Sequence, residues 1–125
     1  MKPLLVAMAS LVALTAFSAA ASAAPAKMMK TSAGEVLVDA KGMTLYTFDK
    51  DTKGVSNCYD KCAAAWPPLM ATSADKAEGD WTIVKRKDGT AMWAYEGMPL
   101  YTFVKDMKSG DVTGEGVGGV WHVAK

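Results

Sequence analysis

The chain contains the same ten-residue phrase twice, and this internal duplication constrains its fold more than any other feature. Residues 42–51 read GMTLYTFDKD and residues 97–106 read GMPLYTFVKD, so eight of ten positions are identical at an offset of 55 residues. The same offset relates Trp66 to Trp121 outside the phrase. A chain that repeats one structural unit builds its core from related parts. The sequence therefore predicts two matching halves that share one core.

The first 23 residues carry the features of a secretory signal peptide. A charged start at Lys2 is followed by an apolar run from Leu4 to Ala21 and by small residues that form an A-x-A exit. We expect cleavage after Ala23, which removes any stable membrane anchor and places the mature chain in the periplasm or outside the cell. Retention of the segment as an anchor is the alternative. No cysteine lies near the exit, so lipid attachment at a new N-terminus is not expected.

The mature chain is predicted to contain a short leader and a single β domain. Residues 24–33 follow neither the period of a strand nor that of a helix, which indicates a flexible leader. Across residues 34–125, short segments rich in β-branched and aromatic residues alternate with glycine-containing turns. One short helix is expected near residues 58–65, because this stretch combines good helix formers with polar outer positions. Pro67 and Pro68 end it, since the residue before a proline is disfavoured in a helix.

Six predicted strands give an all-β, mainly antiparallel fold, arranged as a small meander, sandwich or barrel-like domain. The first two strands form a hairpin through Gly42, which accepts the positive φ that such a turn requires. The two pseudo-repeats cover residues 34–69 and 89–124, and each contributes a hairpin that ends in Leu-Tyr-Thr-Phe. The predicted strands are residues 36–38, 43–48, 81–85, 91–95, 99–103 and 120–123.

Cys58 and Cys62 are the only cysteines of the chain. Cysteines in an oxidising compartment pair as disulfides, so we predict a bond between them. A disulfide brings its Cβ atoms closer than positions i and i+4 of a regular helix, which places Cys58 at or before the helix start. A redox-active pair is the alternative, although the spacing differs from the C-x-x-C of thiol oxidoreductases.

Both copies of the phrase fit the pattern Y-x-(F/W/Y)-x-x-D, at residues 46–51 and 101–106. With residues 62–69 and 118–123, they make the sequence resemble the bacterial secreted-repeat family, described as predicted lipoproteins with this motif. The resemblance implies no established activity and no catalytic residue. The residues expected to maintain the structure are Tyr46, Phe48, Asp51, Tyr101, Phe103, Asp106, Trp66 and Trp121.

Trp66 and Trp121 occupy equivalent places in the two copies. Burial of a tryptophan removes a large apolar surface from water, so we expect the pair to act as core anchors. An exposed aromatic face that binds a partner is the alternative.

Methionines and one histidine raise the question of a metal site. Thioether sulfurs suit Cu(I), and Met43 and Met98 hold the same position in the two copies, where they would face each other. His122 is the only histidine, which excludes a blue-copper site because that site needs two. Core packing is the expected role of the methionines, and no cofactor is predicted. A copper site at Met43, Met98 or His122 is the alternative.

Charge and motif content exclude several function classes. Basic and acidic residues nearly balance, at 14 and 13, and the one basic run at residues 85–87 is predicted as the solvated rim of a turn. Nucleic acid is therefore not an expected partner. No nucleophile elbow, phosphate loop or zinc-binding helix motif occurs, so no enzyme activity is predicted. We expect a periplasmic binding or structural module with a protein partner in the cell envelope; a copper-binding or redox accessory protein is the alternative.

Overall fold

The computed structural model describes residues 25–125, and the predicted signal peptide lies outside them. Within this range, all strand pairs are antiparallel, and three small sheets join β1 with β2, β3 with β7, and β4 with β5 and β6. The protein thus has the all-β fold that the sequence predicts. The strands are β1 (Ala26–Thr31), β2 (Gly34–Asp39), β3 (Tyr46–Phe48), β4 (Trp81–Lys85), β5 (Ala91–Tyr95), β6 (Met98–Pro99) and β7 (Trp121–Val123).

One α-helix and one 3-10 turn complete the described structure. The helix α1 spans Lys61–Ala65 and is shorter than the helix predicted at residues 58–65. It cannot begin earlier because Asp60 has a φ of 54°, which a right-handed helix does not accept. The 3-10 turn spans Val117–Gly119. Neither element of the described range is long and apolar enough to cross a membrane.

The disulfide predicted from the cysteine spacing is confirmed. Cys58 and Cys62 are bonded, with their Cα atoms 5.2 Å apart. Cys58 is fully buried and precedes α1, whereas Cys62 belongs to its first turn. The bond therefore ties the start of a very short helix to a loop that is anchored in the core.

The predicted flexible leader at residues 24–33 is wrong for most of its length, because β1 pairs with β2 along six residues. The turn between them is held by Thr31, whose hydroxyl donates to the carbonyl of Gly34 at 2.8 Å. The side chains of β1 are exposed or only half-buried, so the strand shows no apolar alternation. Its order comes mainly from backbone pairing, and the two side chains that pack against the core, Ala26 and Met29, are too few to give a strand period.

The predicted hairpin of residues 36–38 and 43–48 forms only at its start. Val38 pairs with Thr44, and the N–H of Leu45 donates to the carbonyl of Leu37 at 2.9 Å. The chain then departs, and β3 pairs with β7 near the end of the sequence. The first half of the chain is therefore closed by the last strand of the second half.

Two tyrosines mark the place where the halves meet. The N–H of Tyr46 donates to the carbonyl of Tyr101 at 2.7 Å, and the N–H of Tyr101 donates to the carbonyl of Tyr46 at 3.0 Å. These residues are 55 positions apart, so the reciprocal bonds define an approximate twofold axis between the repeats. Leu45 and Leu100, which precede the tyrosines, are both fully buried in one apolar cluster. Equivalent residues thus have equivalent surroundings.

Removal of the disulfide is expected to destabilise the fold by about 2 kcal/mol, because the bond closes a short loop in the unfolded chain. The test is urea denaturation of the double variant Cys58→Ala, Cys62→Ala beside wild-type protein. Wild-type protein in a thiol reductant serves as the control, since it keeps both sulfur atoms and loses only the cross-link. Equal midpoints for oxidised and reduced wild type would show that the bond contributes nothing to stability.

Candidate functional site

Four aromatic rings form a stacked column in the core. Phe48 stacks on Trp121 at 4.3 Å, Trp121 on Trp66 at 3.8 Å, and Trp66 on Phe103 at 3.9 Å. Each tryptophan is thus covered by the phenylalanine of the other copy of the phrase. Trp66 is 5% exposed and Trp121 is 4% exposed. The alternative of an exposed aromatic face for a partner is therefore wrong for this pair.

The tyrosine and aspartate of the repeated phrase bind each other across the two copies. The Tyr46 hydroxyl donates to Asp106 Oδ2 at 2.7 Å, and the Tyr101 hydroxyl donates to Asp51 Oδ2 at 2.6 Å. Burial, and then the carboxylate partner, raise the pKa of both tyrosines well above its ordinary value. Burial also raises the pKa of Asp51. Both phenols therefore stay protonated at neutral pH.

The second oxygen of each aspartate holds the loop that follows the phrase. Asp51 Oδ1 accepts the N–H of Asn57 at 2.6 Å. Asp106 Oδ1 accepts both the N–H of Thr113, at 2.8 Å, and its hydroxyl, at 2.6 Å. Each carboxylate therefore orders its own copy through one oxygen and binds the other copy through the second.

A buried arginine extends one of these two networks. The Nη1 atom of Arg86 donates to Ser56 Oγ at 2.7 Å, and Nη2 donates to the carbonyl of Cys58 at 2.8 Å. Ser56 Oγ lies 2.6 Å from the Tyr101 hydroxyl. Because that hydroxyl gives its proton to Asp51, Ser56 is the donor of this bond. Hydrogen bonds therefore run in one direction from Arg86 through Ser56 and Tyr101 to Asp51.

The prediction that residues 85–87 form a solvated turn rim is wrong for Arg86, which is only 4% exposed. Its guanidinium lies 4.2 Å from the centre of the Tyr59 ring. Among residues 25–125, its Nε has no hydrogen-bond partner, and the closest carboxylate oxygen belongs to Asp88 at 3.9 Å. The Tyr46 network has no such arginine, and the N–H of Gly114 contacts the Tyr46 hydroxyl at 3.1 Å instead. The two related halves thus differ by one buried positive charge.

His122 lies on the surface between two carboxylates. Its Nδ1 is 3.1 Å from Glu115 Oε2 and its Nε2 is 2.9 Å from Asp49 Oδ2. Glu115 Oε1 also accepts the N–H of Val123 at 2.8 Å. The bonds to Glu115 and Asp49 raise the pKa of His122, and the bonds from Val123 and His122 lower the pKa of Glu115. The side chains of Asp49, Glu115 and His122, which we call the His122 clasp, therefore bind the glycine-rich loop and the residue after β3 to β7.

The structure does not bring Met43 and Met98 together. Both precede a tyrosine of the axial pair by three residues, and in an antiparallel pairing those positions lie in opposite directions from the axis. His122 is engaged with Asp49 and Glu115. Within residues 25–125, no group of three or more His, Cys, Asp or Glu side chains could hold a metal ion.

One open groove of about 760 Å³ lies where the two halves meet on the surface. We call it the junction groove. Leu100, Val123 and Ala124, all buried, form its apolar floor. Its other lining residues include Thr47, Lys53, Asp80, Thr82, Tyr95, Glu96, Met98 and Lys125. The groove therefore combines an apolar base with hydroxyl groups, a half-buried aromatic ring and charges of both signs.

Two segments of the chain match one family model. Residues 27–70 and 82–125 each match a family described as a secreted repeat of unknown function. The protein belongs to this secreted-repeat family. The match covers well over half of the chain and agrees with secretion. No curated protein and no solved structure matches the chain.

The family boundaries include β1 in the first repeat, which the predicted pseudo-repeats do not. Each matched segment begins seven residues before the pseudo-repeats assigned from the sequence, at residues 27 and 82 instead of 34 and 89. The earlier boundaries bring β1 and β4 into the repeats, each as the first strand of a hairpin. At the offset of 55 residues, β1 aligns in sequence with the predicted strand at residues 81–85. The duplication itself therefore predicts a strand at the position of β1.

The variant Gly114→Ala is expected to destabilise the protein by roughly 1–3 kcal/mol, because the core cannot accept an added carbon without strain. A Cβ at this position would lie 2.8 Å from the Trp66 ring and 2.8 Å from the Tyr46 ring. Thermal unfolding measures the change, and near-ultraviolet circular dichroism reports the tryptophan stack. In the control Gly116→Ala the φ of 81° strains the backbone and lowers the melting temperature, but the new carbon meets open space, so the stack signal should stay unchanged. A wild-type spectrum and melting temperature for Gly114→Ala would contradict the packing.

The contribution of the His122 clasp is expected to depend on pH. The pKa of His122 is raised in the folded state, so its stabilisation is present below the ordinary histidine pKa and is lost as pH rises through the raised pKa. The lowered pKa of Glu115 has the opposite effect on the pH dependence of stability. Its contribution is present at neutral pH and is lost only in acid. His122→Gln should therefore lower the melting temperature most at about pH 5–6.

The expected difference is below about 1 kcal/mol, because the clasp is exposed to solvent. The measurement is the melting temperature of wild type and His122→Gln from acid to alkaline pH. Glu115→Gln should reduce the same difference, since it removes one carboxylate partner. A melting-temperature difference between wild type and His122→Gln that is constant across the pH range would rule out the charged clasp.

Proposed function

We propose that the protein is a periplasmic binding module, and that it recognises an extended peptide segment of a partner protein in the cell envelope. The supporting observation is the junction groove. Its volume of about 760 Å³ is typical of ligand sites, and both halves of the chain contribute to it. Thr47 and Lys53 come from the first half, and the other lining residues come from the connector and the second half.

The repeated motif does not compete for this role, since its side chains are already occupied. The tyrosine hydroxyls and aspartate carboxylates bind each other, and the tryptophan and phenylalanine rings stack in the core. A buried polar group that has its partners stabilises the fold and is closed to a ligand. Recognition is therefore assigned to the surface groove that this core supports.

The chemistry of the junction groove favours a peptide. Lys53 and Lys125 offer positive charges, and Asp80 and Glu96 offer negative charges, all on exposed residues. The apolar floor can receive an apolar side chain while the charged rim residues pair with charged side chains of the same peptide. β4 is the edge strand of its sheet and contributes Thr82 to the lining, so an extended segment can also add to that edge.

The proposal is tested by selecting peptides from a random library displayed on phage against the mature protein. Selected peptides are then titrated into wild type and into Thr82→Trp, which fills the groove, by calorimetry. Binding to the variant should weaken by at least about tenfold. Val104→Trp is the matched control, because Val104 is 50% exposed and lies outside the groove.

Nitrogen–proton correlation spectra locate the bound peptide. Shifts should concentrate on residues of the junction groove. The proposal fails if no peptide is enriched, if Thr82→Trp binds as well as wild type, or if the shifts cluster elsewhere.

A further inference from the structure

We propose that the buried aromatic core is a redox site, a relay that accepts an oxidising equivalent from a diffusing one-electron oxidant and holds it as a tyrosyl radical. The site consists of Tyr101, Trp121, Trp66 and Tyr46 in spatial order, which we call the relay. It goes beyond peptide binding and uses none of the residues of the junction groove.

The relay is continuous. The rings of Tyr101 and Trp121 are 5.2 Å apart, those of Trp121 and Trp66 are 3.8 Å apart, and those of Trp66 and Tyr46 are 5.3 Å apart. The two indoles are nearly parallel, at 4°, so their π systems overlap. Tryptophan and tyrosine are the aromatic side chains that give up one electron most readily. An electron can therefore pass from either tyrosine to either indole through neighbouring rings.

Both ends of the relay have a proton acceptor in place. A phenol loses an electron easily only when its proton leaves at the same time. The Tyr46 hydroxyl donates to Asp106 at 2.7 Å, and the Tyr101 hydroxyl donates to Asp51 at 2.6 Å, which is the reach that proton transfer requires. Backbone N–H groups fix both carboxylates, so the acceptors need no rearrangement.

Burial separates the point of entry from the point of storage. Both tyrosines have no exposed surface, whereas Trp66 and Trp121 keep 5% and 4% of theirs. An oxidant in solution therefore meets an indole before it meets a phenol. Phe48 and Phe103 cover the outer faces of the indoles, and neither is readily oxidised. A radical on a tyrosine is thus shielded from solvent.

The single buried arginine makes the two ends unequal. Arg86 lies one hydroxyl group away from Tyr101 through Ser56, and its positive charge opposes the loss of an electron there. The Tyr46–Asp106 pair has no such neighbour among its hydrogen-bond partners. The oxidising equivalent should therefore come to rest on Tyr46.

The reaction balances as follows. The oxidant, of the class of carbonate radical anion or nitrogen dioxide, takes one electron from Trp66 or Trp121 and is reduced. Tyr46 returns one electron to the indole and passes its phenolic proton to Asp106 Oδ2. The products are a neutral tyrosyl radical and a protonated Asp106. A one-electron donor from solution reduces the radical, and the proton returns to the phenol.

The test generates carbonate radical by a light pulse in solutions of the mature protein and follows the products by electron paramagnetic resonance with ring-deuterated tyrosine. The wild type should give the signal of a radical on Tyr46. Tyr46→Phe should abolish that signal and replace it with a different one, from Tyr101 or from an indole. Tyr95→Phe is the matched control, because Tyr95 is half-buried, its ring contacts Trp81 at a tilt of 49°, and it lies outside the relay. It should leave the signal unchanged.

A second variant addresses the proton. Asp106→Asn removes the acceptor and should slow tyrosyl formation by roughly a hundredfold while indole oxidation persists. If this variant does not fold, the wild-type rate in heavy water replaces it, and a slower formation is expected there. The proposal is overturned if the wild-type radical resides on Tyr95 or Tyr59, if Tyr46→Phe leaves the signal unchanged, or if heavy water has no effect.

Discussion

The reciprocal backbone pairing of Tyr46 with Tyr101 is the contact on which the rest of the structure depends. The two copies of the phrase run antiparallel through this point. The residues that follow the tyrosine in one copy therefore pack against the other copy. Phe48 and Asp51 therefore meet Trp121 and Tyr101, which belong to the other repeat. The column of rings and the two Tyr–Asp bonds both follow from this one crossing.

Buried polar groups make the crossing specific as well as stable. A tyrosine hydroxyl or a carboxylate without a partner in an apolar core costs about 1–3 kcal/mol or more, so a shifted pairing would be penalised at both ends. Stacking alone is less selective, because flat rings accept many offsets. Arg86 then breaks the symmetry by placing a positive charge beside only one of the two pairs. Related halves of one core thus have different electrostatic environments.

Local patterns in the sequence were sufficient for the repeat, the all-β class and the disulfide, because each depends on neighbouring residues or on direct repetition. Pairing between distant strands was not predictable in this way. The predicted hairpin after Val38 gives way to pairing of β3 with β7, a choice that side-chain alternation does not encode. β1 is held mainly by its backbone pairing with β2, and only Ala26 and Met29 of its side chains pack against the core. Only comparison with its counterpart at an offset of 55 residues could have revealed it.

The same limit applies to the candidate sites. The sequence identifies the residues of the repeated motif but not that each tyrosine bonds the aspartate of the other copy. The same pattern would also allow a tyrosine to bond the aspartate of its own copy. The lysines on both sides of Arg86 predict a solvent-exposed side chain. Its burial depends on Ser56 and on the carbonyl of Cys58, which are distant in the sequence. The junction groove likewise draws on segments that no motif connects.

The exchange of side chains between halves also bears on ancestry. A chain with only one repeat would carry a tyrosine without its aspartate partner, a tryptophan without the phenylalanine that stacks on it, and a strand without the strand that pairs with it. A second identical chain related by a twofold axis would supply all three partners, as in an isologous dimer. Fusion of two such copies would then have fixed the stoichiometry and allowed one of them to acquire an arginine that its twin lacks.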